Sequence, residues 1–345
     1  MQQTGIHPMQ RLKDRLRDIL KVIPPGSDVY YLDYPVHSNG GDLLIMQGTE
    51  AFFRDYGIRV RARYSAIDFP EGLDIPADAI IALHGGGNFG DLYHAHQALR
   101  ERVVRTYRRN RVVVLPQTIY FRDEAAYDRA AAIFSGHPDA HLFVRDTGVY
   151  EEAVRKFDCG VCLSPDMAHQ LWPIQPRGMQ RGGLLHFLRT DVEAGEAQAA
   201  DAGAGTAHKD WKTLFTPLEL KAIVLLQKLM ASIGGEPIRP AWYRYASYLT
   251  GKAVREFSAY ETIRTSRLHG HILACLLDKP NVLLDNSYGK NSAYYHTWTF
   301  AVPSARLQPA ADPAVGHAGR GTAAQVAPAA TAAVSGGKTA AATGG

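Results

Sequence analysis

Short apolar runs recur along the first half of the chain, at residues 28–33, 59–64, 79–83, 111–115, 141–144 and 161–163. Each is bounded by turn-forming residues, as strands buried on both faces are. Between them lie stretches whose apolar positions repeat with helical spacing, at 43–55, 95–109, 124–134 and 149–157. Strand alternating with helix predicts a parallel sheet covered by helices. The Pro/Gly-rich stretch 172–183 suits neither a long helix nor a central strand, and predicts a domain boundary. A second α/β unit follows. It comprises a strand at 184–188, a polar loop at 194–208, a helix opened by Thr216 and Pro217, a strand at 262–266 leading into a helix at 269–277, and a strand at 281–284. The expected fold class is α/β with two Rossmann-like domains, 1–175 and 176–307. From 308 to 345 nearly all residues are Ala, Gly, Pro, Thr or Ser, so a disordered tail is expected, with too little apolar side chain to offset its ordering entropy.

Composition narrows the function classes. With 345 residues, 46% of them hydrophobic and 21% charged, the chain can bury an enzyme-sized core. A formal charge of +4 is small for this length and does not point to nucleic acid. No apolar run approaches the roughly 18 residues that span a bilayer, and the first twenty residues mix charges without a cleavage site, so a cytoplasmic location is expected. Cys159 and Cys162 sit in an apolar run with no second pair to complete a zinc site, so they read as packing residues, and neither a metal nor a resident cofactor is expected.

Candidate chemistry gathers at predicted strand ends. His84-Gly85-Gly86-Gly87-Asn88-Phe89-Gly90-Asp91 follows a strand and precedes a helix. Glycines such as Gly86 and Gly87 admit an anion or a sugar hydroxyl to the backbone, although neither the dinucleotide nor the P-loop spacing is present. The bland alternative is a tight turn with Asp91 as a cap. A second loop of the same kind, Asn39-Gly40-Gly41-Asp42, favours a ligand site in which Asn39, Asp42, Asn88 and Asp91 bind sugar hydroxyls. Arg145 ends an apolar strand, where a guanidinium needs either an ion-pair partner such as Asp146 or an anionic ligand. If the strand at 262–266 persists to His269, Thr265, Arg267 and His269 share one face and pair a cation with an acid/base group. His271 reads as a core or capping residue. Lys290 lies in a polar loop near the same strand ends.

Six motifs in order, running from about residue 28 to 300, resemble the polysaccharide pyruvyltransferase family: His84–Asp91, Leu115–Thr118, Val144–Asp146, Ser164–Met167, Leu188–Asp191 and Ser266–His271. The resemblance implies a GT-B-like architecture, two Rossmann-like domains facing across a cleft, with phosphoenolpyruvate as donor. It also implies a sugar or lipid-linked oligosaccharide as acceptor, with peripheral contact at the inner face of the plasma membrane. Arg145, His269 and Lys290 then match the family's donor-binding and catalytic residues. Arg145, Lys290 and Arg267 would neutralise the donor's carboxylate and phosphate, and His269 would act as general acid. Asp42, Asp91 and Asp191 are the carboxylates open to accept a hydroxyl proton. A nucleotide-sugar glycosyltransferase shares this architecture and is the alternative enzyme reading. A non-catalytic carbohydrate-binding protein would not need Arg, His and Lys to converge at strand ends.

Overall fold

Alternate residues of the buried strands serve two different hydrophobic cores, the consequence of a side-chain period of two in a sheet covered on both faces. Val29 and Tyr31, Ile80 and Ala82, Val113 and Leu115, and Phe143 enter one core. Leu32, Ile81 and Leu83, Val112 and Val114, and Leu142 and Val144 enter the other. The computed structural model describes residues 5–189, 208–285 and 289–308. Asp191 and the tail beyond 308 lie outside these residues. Gln308, which composition assigns to the tail, ends a strand.

The first sheet contains β1 (Asp28–Leu32), β2 (Arg59–Tyr64), β3 (Ile80–Leu83), β4 (Gly86–Phe89), β5 (Val112–Ile119), β6 (Ala140–Val144) and β7 (Gly160–Leu163). Its order is β2-β1-β3-β5-β6-β7, with β4 paired to β5, and each pairing is parallel. The helices joining these strands are α2 (Gly40–Asp55), α3 (His94–Thr106), α4 (Glu124–Ser135) and α5 (Thr147–Lys156). They follow α1 (Pro8–Arg15), which precedes the sheet. Asn39, Asp123 and Asp146 cap α2, α4 and α5 with their side chains, which fixes where each helix leaves its strand.

The second sheet is also parallel, in the order β11-β10-β9-β8. It is built from β8 (Leu184–Phe187), β9 (Thr262–Thr265), β10 (Asn281–Leu284) and β11 (Ala305–Gln308). Helices α6 (Trp211–Leu214), α7 (Pro217–Ile233), α8 (Arg239–Ser258), α9 (Leu268–Leu276) and α10 (Lys290–Tyr294) accompany it. A capping box of Thr216 and Glu219 opens α7, with Pro217 in the first turn as its sequence indicates. The two sheets do not have separate cores. Phe187, Ile263 and Leu273 belong to the same cluster as Val29 and Tyr31, and Trp242 Nε1 of α8 donates to Pro35 O at 2.9 Å.

Three buried histidines tie this interior together while remaining neutral. His84 Nδ1 lies 2.5 Å from Tyr31 Oη, His169 Nε2 2.8 Å from Tyr294 Oη, and His271 bridges Asn281 Oδ1 at 2.6 Å and Thr299 Oγ1 at 2.8 Å. Burial pushes each of them down to about 4. The unfolded chain takes up these protons near 6.5, the folded chain only near 4, so between the two the unfolded state binds more protons. Stability should therefore fall as pH drops through that window, by up to roughly 3 kcal/mol per histidine. Urea midpoints measured across it should decline steadily, and a flat profile would contradict the neutral buried state.

Candidate active site

The connection after β1 runs outward to β2, whereas the connection after β3 runs the other way, to β4 and β5, so the strand order reverses between β1 and β3. A crevice opens there at the carboxyl ends of the strands. It holds a pocket of about 310 Å³. From the first sheet come Gly87 and Asn88 of β4, Thr118 of β5 and Arg145 just after β6, with Asn39 and Asp42 from the start of α2. From the second come Arg189 after β8, Arg267 and His269 after β9, and Lys290 after β10, with Trp211. The lining thus carries four cationic side chains, Arg145, Arg189, Arg267 and Lys290, against one carboxylate, Asp42.

A single buried oxygen organises the centre. Asp166 Oδ2 accepts from Arg145 Nη1 at 2.8 Å and stands 3.2 Å from His269 Nε2, while Oδ1 accepts from Ala168 N–H at 2.9 Å. Burial alone would raise this carboxyl, but His269, Arg145 and the Ala168 amide outweigh it and hold the group well below the usual carboxylate range. Arg145 is fixed further by Nε donating to Thr118 Oγ1 at 2.7 Å, and its carbonyl accepts from Trp298 Nε1 at 2.9 Å. Behind the carboxylate, Tyr294 Oη accepts from Asp166 N–H at 3.2 Å. Fixing one imidazole nitrogen on a buried carboxylate sets the ring plane and leaves Nδ1 as the ring nitrogen not held by Asp166.

The glycines of the 39–42 turn serve that ring. A Cβ on Gly41 would stand 2.7 Å from His269 Nδ1, and one on Gly40 would stand 2.2 Å from the Trp211 ring. Helix α2 therefore begins with two glycines because side chains from the second sheet press against its first turn. In the other glycine-rich loop, a Cβ on Gly90, at φ +140°, would lie 1.7 Å from Tyr120 O, so this position serves chain-on-chain packing. Residues 86–89 of that loop form β4, where the sequence indicated irregular chain. Gly87 approaches Arg145, with a notional Cβ 3.2 Å from Nη2, whereas Gly86 does not line the pocket.

Several expected residues are placed differently from the sequence reading. The strand ends at Thr265 and α9 starts at Leu268, so Thr265, Arg267 and His269 do not alternate along one strand face; His269 enters the pocket from the first turn of a helix. Arg267 turns its fork to the buried Asp210, with Nε to Oδ1 at 2.7 Å and Nη2 to Oδ2 at 2.6 Å. Asp210 in turn caps α6 and seats Trp211. Asp91 leaves the central pocket: its Oδ2 accepts from Arg122 N–H at 2.8 Å and Asp123 N–H at 2.9 Å, in a neighbouring groove beside His94 and Arg129. Asn88 is drawn into a buried network. Its Nδ2 donates to Asp33 Oδ2 at 3.2 Å, and its Oδ1 accepts from Arg100 at 2.8 Å and Gln117 at 3.0 Å. Asn39 caps α2 through Gly41 N–H at 3.0 Å and donates to Asp42 Oδ2 at 2.8 Å. Lys290 lies over the Tyr120 ring, 4.7 Å from its centroid.

Asp166, Asp210, Arg189 and Trp211 were given no role by sequence reasoning. Asp166 had a signal, its position three residues beyond the apolar run that forms β7. Asp210 had the N-cap pattern before Trp211.

Fold and pocket together define a parallel α/β protein of Rossmann-like type, with a cationic pocket at its strand ends. Its matches to known proteins give the family. Residues 39–288 match the polysaccharide pyruvyl transferase family. The EpsO protein of Bacillus subtilis (strain 168) is 45% identical over 306 residues, which cover 87% of this chain and 94% of EpsO. Pyruvyl transferase 1 of Schizosaccharomyces pombe (strain 972 / ATCC 24843) is 30% identical over 295 residues, 78% of this chain and 69% of that protein. The chain belongs to the polysaccharide pyruvyl transferase family. A crystal structure of an uncharacterized protein from Klebsiella pneumoniae subsp. pneumoniae NTUH-K2044 superposes with a TM-score of 0.56 at 19% identity, over 86% of this chain and 98% of that one; the likeness is one of fold.

Proposed function

We propose that the chain transfers the pyruvyl skeleton of phosphoenolpyruvate to two hydroxyls of one sugar residue, forming a cyclic ketal and releasing phosphate. The observation that carries this reading is the Asp166 oxygen shared by Arg145 and His269, which sets a fixed cation and an acid/base group on the same pocket. Arg145 and Lys290 meet the donor's carboxylate and phosphate, with Arg189 beside them. His269 delivers a proton from Nδ1 to the donor's methylene carbon, which leaves cationic character on the carbon bearing phosphate. The first sugar hydroxyl bonds to that carbon and releases its proton, the C–O bond to phosphate breaks, and the second hydroxyl closes the ketal. Of the two hydroxyl protons, one restores His269 and the other leaves with phosphate. Asp42, in the lining, is the base we assign to the hydroxyls.

In this reading the two sheets form GT-B-like halves, 1–175 and 176–307, around the donor. The enzyme works in the cytoplasm on a lipid-linked oligosaccharide at the inner face of the membrane. Incubation with phosphoenolpyruvate and extracted glycolipid acceptors should release one phosphate for each acceptor that gains a pyruvate ketal by mass spectrometry. Phosphate release without a modified sugar, or transfer of a sugar from a nucleotide donor instead, would overturn the proposal.

A further inference from the structure

Helix α7 (Pro217–Ile233) buries little of its apolar surface. Leu218 is 77% exposed, Val224 48%, Leu225 58%, Leu229 37% and Ile233 62%, whereas the core receives only Ile223 and Met230 in full. An isolated exposed leucine needs no explanation, but five large apolar side chains on one helix make a patch of the kind that marks an interaction surface. Lys221 and Lys228 are exposed between them. The helix's one acid, Glu219, is turned away and paired, with Lys252 Nζ at 2.7 Å and Tyr248 Oη donating to it at 2.8 Å. The exposed face is therefore apolar and cationic, with no acid on it.

The helix stands next to the pocket. Gln227 Nε2 donates to Val36 O at 2.5 Å, and the next residue, His37, lines the pocket. Trp211, also in the lining, precedes the helix by six residues.

We infer that the exposed face of α7 is a docking surface for an anionic lipid bilayer, on which the enzyme rests with its pocket close to the headgroups. Apolar side chains enter the boundary between headgroups and acyl chains, while lysines meet the lipid charge. The charge argues against a second copy of the chain as occupant, since a two-fold contact through this face would set lysines against lysines with no acid to receive them. No helix among the described residues is long and apolar enough to cross a membrane, so the contact lies in the surface plane. The inference extends the reading of a membrane-borne acceptor, but its test measures binding without turnover, so its failure leaves the pyruvyl reading standing.

The full chain should sediment with vesicles of phosphatidylcholine and phosphatidylglycerol, more weakly with phosphatidylcholine alone, and less at high salt. Leu225→Asp with Leu229→Asp should lower vesicle affinity roughly tenfold or more. Lys221→Glu with Lys228→Glu should abolish the preference for the anionic lipid. These residues are exposed, so circular dichroism should be unchanged. Absence of sedimentation with anionic vesicles would overturn the inference. So would a dimer by light scattering that Leu225→Asp dissociates, because the face would then be an interface between copies.

Discussion

Asp166→Asn should reduce product formation by roughly a hundredfold or more while leaving a folded, less stable protein. The carboxylate is fully buried, and one of its oxygens serves both Arg145 and His269. Asparagine keeps the shape and can still accept from Ala168 N–H, but it removes the charge that balances the Arg145 guanidinium. Breaking a buried pair by neutralising one partner costs about 3–5 kcal/mol, because the other charge remains buried. His269 loses the carboxylate oxygen that sets its ring. Asp166 is thus a positioning residue, and its loss should alter the pH profile of turnover as well as its height. A variant that turned over at the normal rate with the normal pH profile would remove Asp166 from the mechanism, whatever its effect on stability.

Gly41→Ala should separate activity from stability in the opposite way. Alanine in the first turn of α2 is a better helix former than glycine by about 1 kcal/mol, and on that ground alone the variant should be no less stable. Its methyl group, however, would stand 2.7 Å from His269 Nδ1 and 3.1 Å from His269 Cβ, so the imidazole must shift. The displaced nitrogen is the one from which we draw the proton. Turnover should fall by about tenfold to a hundredfold, since a misplacement on the order of 1 Å is costly in catalysis. Phosphoenolpyruvate affinity, set by Arg145 and Lys290, should change little. Calorimetric donor titration beside initial rates reads the two separately. Equal loss of both would mean that the turn contacts the donor itself.

Six of the seven strands of the first sheet were legible as short runs flanked by turn residues, and the run at 59–64 matches β2 in full, whereas β4 lies in a glycine-rich stretch that reads as a loop. Strand β5 continues past its expected end at Leu115, through Pro116, to Ile119; the pairing with β6 shifts register between Val114 and Gln117 to accommodate the proline. Helix α8 was passed over although Trp242, Ala246, Leu249, Ala253 and Phe257 repeat with helical spacing, because Arg and Tyr residues dilute the pattern. The convergence of Arg145, His269 and Lys290 on one pocket followed from their places at strand ends, which open α/β sheets turn toward the ligand. What joins Arg145 to His269 was not legible: Asp166 lies 21 residues from the first and 103 from the second, and only the fold closes those distances. Nor did the sequence distinguish glycines that face a ligand from glycines that admit Trp211, His269 or a passing carbonyl.

Titration of phosphoenolpyruvate into the intact protein and three variants tests most directly whether these side chains act on one donor. Arg145→Ala and Lys290→Ala should each weaken binding by about 2 kcal/mol, the scale of a charge-assisted contact. His269→Gln should bind the donor nearly as well as the parent yet turn over at least roughly a hundredfold more slowly, because glutamine can hydrogen bond but cannot deliver a proton. A donor that binds equally well without Arg145 and Lys290, or that does not bind while a nucleotide sugar does, would contradict the account.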